Sequence, residues 1–174
     1  MARLHALELS PDETGAAAVV AAWQQLADVG LPSQLRHQGV TNAPHVTVLA
    51  TPDPVSPDVV AAATRLLTPL LPVTVLLSGL IVFGGSRPGL AWALEVPDEL
   101  LAAVIELRGI TDGHRHQGWL PHVTLARRLR RSDVGAAWAA LEPGPRELRL
   151  TTVRHWDPEQ ETIRTVHHAG GPDH

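Results

Sequence analysis

The 174-residue chain has no cysteine. Disulfides, thiolate metal centres and a cysteine nucleophile are therefore excluded. It has no lysine either, so all 14 basic residues are arginine. That removes a Schiff-base lysine and a Walker-type phosphate lysine from consideration. Tyrosine is absent and only one phenylalanine is present. An aromatic content of 3% argues against a long stacking track for single-stranded nucleic acid. A strong positive field is also missing, since the formal net charge is −4. Proteins that coat long nucleic acids usually carry the opposite balance.

Other features are present. Hydrophobic residues make up 44% and charged residues 18%. This is the composition of a folded globular chain, long enough for one domain or for two small lobes sharing a core. Charge is unevenly spread. Residues 1–114 hold five arginines against eleven acids, whereas residues 115–174 hold nine against seven. An anionic ligand is better accommodated in the second part. The opening Met1–Glu8 is too short and polar for a signal peptide, so a cytoplasmic location is expected. The uncharged stretch 66–86 has the length of a membrane helix, but Pro69, Pro72 and Gly79 interrupt it. It reads as a helix end followed by a buried strand.

Helix starts are marked at Ser10-Pro11-Asp12-Glu13, with Ser10 as the cap, and at Ser56-Pro57-Asp58. Asp98-Glu99 opens a third apolar run, and Ser132-Asp133 opens a fourth helix through Trp138 and Leu141. Gly30, Gly109 and Pro143-Gly144 supply stops. Strands are expected near 2–9, 43–50, 73–83, 89–96, 119–127, 146–156 and 161–168. The resulting order is strand, helix, strand, helix, strand, and then the same again.

The sequence supports this duplication directly. Residues 36–48 read RHQG-VTNA-PHVTV, and residues 115–125 read RHQG-WL-PHVTL. Self-similarity at long period implies two related units. One would span about 2–83 and the other about 89–168, within a single bilobal domain closed by a flexible tail at 169–174.

Each unit contains His-Val-Thr followed by an apolar residue, at His45-Val46-Thr47-Val48 and at His122-Val123-Thr124-Leu125. In a strand, alternate side chains share a face, so each His points the same way as its Thr. Two such strands placed symmetrically yield a cleft with two imidazoles and two hydroxyls. In-line displacement at phosphorus needs a base on the attacking oxygen and an acid on the leaving oxygen, on opposite sides. Two histidines meet that need without a metal, because imidazole titrates near neutral pH. The hydroxyls of Thr47 and Thr124 can donate to phosphate oxygens as charge develops. With this composition, about 0.3 chance matches to His-x-Thr-apolar are expected, so two matches, both preceded by Pro, are informative.

The paired motif resembles the two-histidine (2H) phosphoesterase superfamily, which includes 2′-5′ RNA ligase-like proteins and RNA 2′,3′-cyclic phosphodiesterases. The resemblance covers nearly the whole chain. It implies an α+β fold of two similar antiparallel-sheet lobes with outer helices, related by a pseudo-two-fold axis, and an active-site cleft between them. It implies hydrolysis of a 2′,3′-cyclic phosphate to a 2′-phosphomonoester, with His45 protonating the leaving oxygen and His122 activating water. The residues alone leave those two roles interchangeable. The expected partners are RNA 2′,3′-cyclic phosphate ends or small cyclic nucleotides, with no cofactor, no metal and no membrane, acting as a monomer. A non-catalytic module that binds nucleotides or RNA ends, and a 2′-5′ RNA ligase, are the competing readings.

Supporting residues are less specific. Arg127 matches the arginine that often follows the second motif in the family, whereas strict strand alternation would aim Arg128 at the cleft. Either guanidinium can fork onto phosphate. For Arg127, Arg128, Arg130 and Arg131 a solvated strand end is the competing reading. Phe83, before Gly84-Gly85, resembles the family's aromatic after the third strand and can stack a base, with core packing as its competitor. Trp92 and Trp138 sit at core-like positions. Trp119 and Trp156 remain candidate base platforms. His114 and His116 have chelate spacing, but neither they nor His167, His168 and His174 come with a further ligand fixed by spacing.

Overall fold

The computed structural model describes residues 4–36, 42–114 and 118–169. Among the described residues, seven strands and four α-helices follow in the order β1 (His5–Pro11), α1 (Glu13–Asp28), β2 (Val46–Thr51), α2 (Pro57–Leu67), β3 (Val73–Phe83), β4 (Gly89–Glu95), α3 (Asp98–Gly109), β5 (His122–Ala126), α4 (Val134–Ala140), β6 (Glu147–Asp157) and β7 (Thr162–His168). The class is α+β with an all-antiparallel sheet. Every expected strand and helix is found, with ends shifted by up to three residues.

The first helix begins later than its sequence signal. β1 continues through Ser10 to Pro11, which pairs with Leu150. Asp12, not Ser10, is the cap, and its carboxylate accepts the Gly15 N–H at 2.8 Å. Ser56 caps α2 as expected. At the fourth helix the Ser132 hydroxyl bonds Asp133 and no side chain caps the end. A 3₁₀ turn at Arg131–Asp133 intervenes, and the helix stops at Ala140.

The strands join in one seven-stranded sheet, ordered β1-β2-β5-β4-β3-β6-β7, rather than in two separate sheets. β1 also pairs with β6, which closes the order on itself. Length makes this possible. The 11 residues of β6 pair with β3 through Glu147–Leu150, with β7 through Thr152–Asp157, and with β1 through Leu150–Trp156.

The apolar face of this sheet is covered by helices. α1 turns Gly15, Val19, Ala22, Trp23 and Leu26 inward, and α3 turns Leu100, Ala103, Val104 and Leu107 inward. These spacings make one stripe of a 3.6-residue helix. They meet fully buried Leu7, Leu9, Leu49, Leu90, Leu125, Leu148 and Leu150. Truncating any such leucine to alanine costs about 2–5 kcal/mol.

Two expectations fail. β3 is not a buried strand, for only Val75 is fully covered, while Leu76 and Val82 are exposed. Its pairing with β6 ends at Leu76, so the remainder lies along an edge. Trp138 is 54% exposed, whereas Trp92 is core at 4%. α4 is only 7 residues long and buries Ala137 alone, so Trp138 falls on its outer side. Among the described residues, no helix is long and apolar enough to cross a membrane.

Candidate functional site

The two motifs meet at a single rung of the sheet, where Val46 of β2 pairs with Val123 of β5. Both valines are buried, at 1%. Antiparallel register carried one step either way sets His45 beside Thr124, and Thr47 beside His122. The four polar motif residues thus converge on one patch. Thr47 is half-buried and Thr124 is buried.

Ladder hydrogen bonding between β2 and β5 does not extend past this rung, and other groups take up the backbone around it. Trp119 Nε1 donates to Thr47 O at 2.9 Å, and Arg108 Nη1 donates to Val48 O at 2.9 Å. Arg108 Nη2 also donates to Gly118 O, so it ties the approach to the second motif onto the strand of the first. Buried backbone carbonyls require such partners. Burial pushes the Arg108 guanidinium below its ordinary value, yet a guanidinium stays charged at neutral pH. On the other side, Trp23 Nε1 donates to Thr124 O at 3.0 Å and anchors β5 to α1.

Both imidazoles are oriented in the same way. His45 Nδ1 lies 2.8 Å from Ala43 O, and His122 Nδ1 lies 2.7 Å from Leu120 O. A carbonyl only accepts, so Nδ1 carries the hydrogen in each ring. Any proton exchange by either ring would then have to use Nε2.

Beyond this the two copies differ. His45 Nε2 lies 3.3 Å from Glu8 Oε1, a contact that needs a proton on one of the two atoms. Glu8 is only 6% exposed, and its Oε2 accepts from Arg154 Nε at 2.7 Å. Arg154 Nη2 closes the circuit by donating to Ala43 O at 3.2 Å, the carbonyl that also holds His45. A carbonyl with two lone pairs can accept both. Cross-strand pairing explains the cluster, for Glu8 stands opposite Thr47 on one side and Arg154 on the other. In the second copy Ala91 stands opposite Thr124, the place that Glu8 takes in the first. There an aromatic ring meets the histidine instead, with Phe83 and His122 centroids 5.2 Å apart at 54°. Phe83 reaches this position across Gly89, where a Cβ would come within 2.8 Å of its ring.

Sequence reasoning named His45, Thr47, His122, Thr124 and Phe83, and the structure brings them together. It missed Glu8 and Arg154. Their signal was visible, since each is a charge set among apolar strand residues, in Leu7-Glu8-Leu9 and beside Val153. Arg127 follows the last residue of β5 and is exposed, as is Arg128. Strict alternation does not reach Arg128, whose φ of 61° turns the chain out of the strand. Trp119 serves the site through its hydrogen bond to Thr47, and Trp156 is half-buried on β6. His114 Nδ1 pairs with Thr111 O, and His168 Nδ1 pairs with the Thr152 hydroxyl. The repeated RHQG, His116 and His174 lie wholly or mainly outside the described residues.

An antiparallel α+β sheet that sets two His-x-Thr strands side by side defines a two-histidine phosphoesterase type of fold. The sequence matches the 2′-5′ RNA ligase superfamily over residues 11–162, and the chain belongs to that superfamily. Its members are phosphoesterases of the two-histidine class. No curated protein matches the sequence. Among solved structures, Usb1 of Kluyveromyces marxianus with uridine monophosphate is similar at 13% identity and a TM-score of 0.50, over 95% of this chain and 98% of that one. A second structure of the same Usb1 has 11% identity and a TM-score of 0.47, over 95% and 98%. A structure described as a phosphoesterase has 18% identity and a TM-score of 0.47, over 94% of each chain.

Proposed function

We propose that the chain hydrolyses a 2′,3′-cyclic phosphate, on an RNA end or a small nucleotide, to a 2′-phosphomonoester. The observation that carries this reading is the Val46–Val123 rung, which brings both His-x-Thr motifs into one site. His122 Nε2 takes a proton from water as its oxygen attacks phosphorus. The bond from phosphorus to O3′ breaks, and His45 supplies the proton that O3′ needs. Thr47 and Thr124 donate to the non-bridging oxygens, and Arg127 balances the phosphate charge. The different surroundings of the two rings support this division of roles. Glu8 offers the protonated form of His45 a negative partner at 3.3 Å. His122 sits against Phe83, whose ring also offers a surface to a base. That a related fold has been solved with uridine monophosphate supports a nucleotide ligand.

The same reading treats the chain as one bilobal domain with units at about 2–83 and 89–168, acting as a monomer. Three features support an internal two-fold: the repeated element order, the matching carbonyl ties of both imidazoles, and the equivalent pairings Glu8–Thr47 and Ala91–Thr124.

The test is turnover of the four 2′,3′-cyclic nucleotides in a chelating buffer, with the products resolved as 2′- or 3′-phosphates. Formation of the 2′-phosphate with a bell-shaped pH profile is expected. Nucleotide binding with no turnover, on these and on RNA with a cyclic end, would leave a binding module in its place. Joining of matched RNA ends faster than hydrolysis would indicate a ligase.

A further inference from the structure

We propose that His5, Asp157 and Glu159 form a site for a divalent transition-metal ion of the zinc type, at the junction of β1 and the β6–β7 turn. His5 is only 2% exposed, and its buried Nδ1 has no hydrogen-bond partner among the described residues. Nδ1 lies 3.8 Å from Asp157 Oδ1, and Nε2 lies 4.0 Å from Glu159 Oε1. Both distances are too long for hydrogen bonds. Burying a polar atom without a partner is costly, and an ion would supply the partner that is missing.

The turn is built to present the carboxylates. Asp157 Oδ1 accepts the backbone N–H of Glu159 at 2.9 Å and that of Gln160 at 3.2 Å. This fixes Asp157 and brings Glu159 back over β1. One ligand atom from each of the three residues lies within 4.8 Å of the others. A single ion takes only one nitrogen of the ring, and tetrahedral zinc with bonds near about 2.0 Å needs ligand separations of about 3.3 Å, so ligand atoms as far as 4.8 Å apart must draw in by up to about 1.5 Å. Glu159, with 74% of its side chain exposed, can swing to make that movement. One imidazole with two carboxylates suits zinc, whose remaining positions water can fill, whereas magnesium prefers oxygen alone.

This site is separate from the phosphoesterase site. Alternation in β1 puts His5 on the face of Leu7 and Leu9, away from Glu8. Its role would be to clamp the start of β1 to the last hairpin, so the cyclic phosphate chemistry does not depend on it.

The experiment uses the full chain without an affinity tag, stripped of metal and titrated with zinc by calorimetry and by thermal unfolding. One zinc per chain with a Kd of micromolar or tighter, and a raised midpoint, are expected. Cobalt should give a visible absorption band, and magnesium should give neither effect. Glu159→Gln changes an exposed side chain, folds normally, and should weaken zinc at least tenfold. Asp157→Asn should do the same. His168→Gln should leave zinc affinity unchanged. No binding by the parent chain, undiminished binding by Glu159→Gln, or equal stabilisation by magnesium would each overturn the proposal.

Discussion

The two His-Val-Thr copies share a backbone and differ in their surroundings. Each imidazole is held through Nδ1 by the carbonyl two residues earlier. The first then faces a buried carboxylate and the second an aromatic ring. The source of the difference is one position on the neighbouring strand, Glu8 in β1 and Ala91 in β4. A duplicated motif can thus supply two equivalent groups, while a single cross-strand neighbour gives them unequal chemistry. The proposed division into acid and base rests on that difference in surroundings.

The largest effect should come from the histidines. His45→Ala and His122→Ala should each reduce kcat/KM on a 2′,3′-cyclic nucleotide by about 10²–10⁴-fold, as expected for loss of a general acid or base. Circular dichroism should show both variants folded, because neither ring is part of the core. A loss below tenfold in either would break the pairing of the two copies.

The charged circuit comes next. Glu8→Gln leaves Arg154 buried without its counter-charge and should cost about 3 kcal/mol of stability by denaturant unfolding. Arg154→Met should cost a similar amount. Combined, the two should cost clearly less than their sum, because each single change strands the other partner. Additive losses would mean that the circuit is not a unit.

Phe83→Ala should act on the second copy alone. It should lower kcat/KM by about 5–100-fold through lost base stacking and a less constrained His122, with the larger part in KM. A change confined to stability would return Phe83 to the role of core filler.

The smallest effect concerns acid. Burial lowers the pKa of His155, against the pull of Asp157 and Glu8, and with help from His5 and Arg164. At Asp157, burial pushes upward, but the N–H groups of Gln160 and Glu159, with His5 and His155, bring it below its ordinary value. Both signs agree. The unfolded chain takes up protons that the folded chain resists, so stability falls as pH drops below the unfolded histidine value of about 6.5. The Asp157 part follows at lower pH, below the ordinary carboxylate range. Thermal midpoints from pH 8 to 5 should show the decline, and His155→Gln should flatten its upper part. A midpoint that rises on acidification would contradict this.

Much of this was legible in the sequence, and for physical reasons. Helix caps and turn signals located the strands between them, and the Pro-His-Val-Thr repeat pointed to two related strands, but not to their pairing in one sheet at Val46–Val123. Ser10 misled because a Ser-Pro-Asp string offers two capping side chains, and only the extent of β1 decides between them. Trp138 misled because an apolar residue on a helix of two turns can face either way. Glu8 and Arg154 belong together only through the register of β1 with β6, 146 residues apart in the chain. No local pattern encodes that pairing. Simple alternation stops short of the arginines after β5, since Arg128 adopts a positive φ.

The central claim is that the two motif copies work as one catalytic unit. The most direct test compares single-turnover rates on 2′,3′-cyclic CMP for the parent chain, His45→Ala, His122→Ala and the double variant. Groups that act in one step are strongly non-additive. The double variant should be no more than a few-fold slower than the worse single variant. A double variant slowed by the full product of the two single losses would show that His45 and His122 act independently, and would contradict the account.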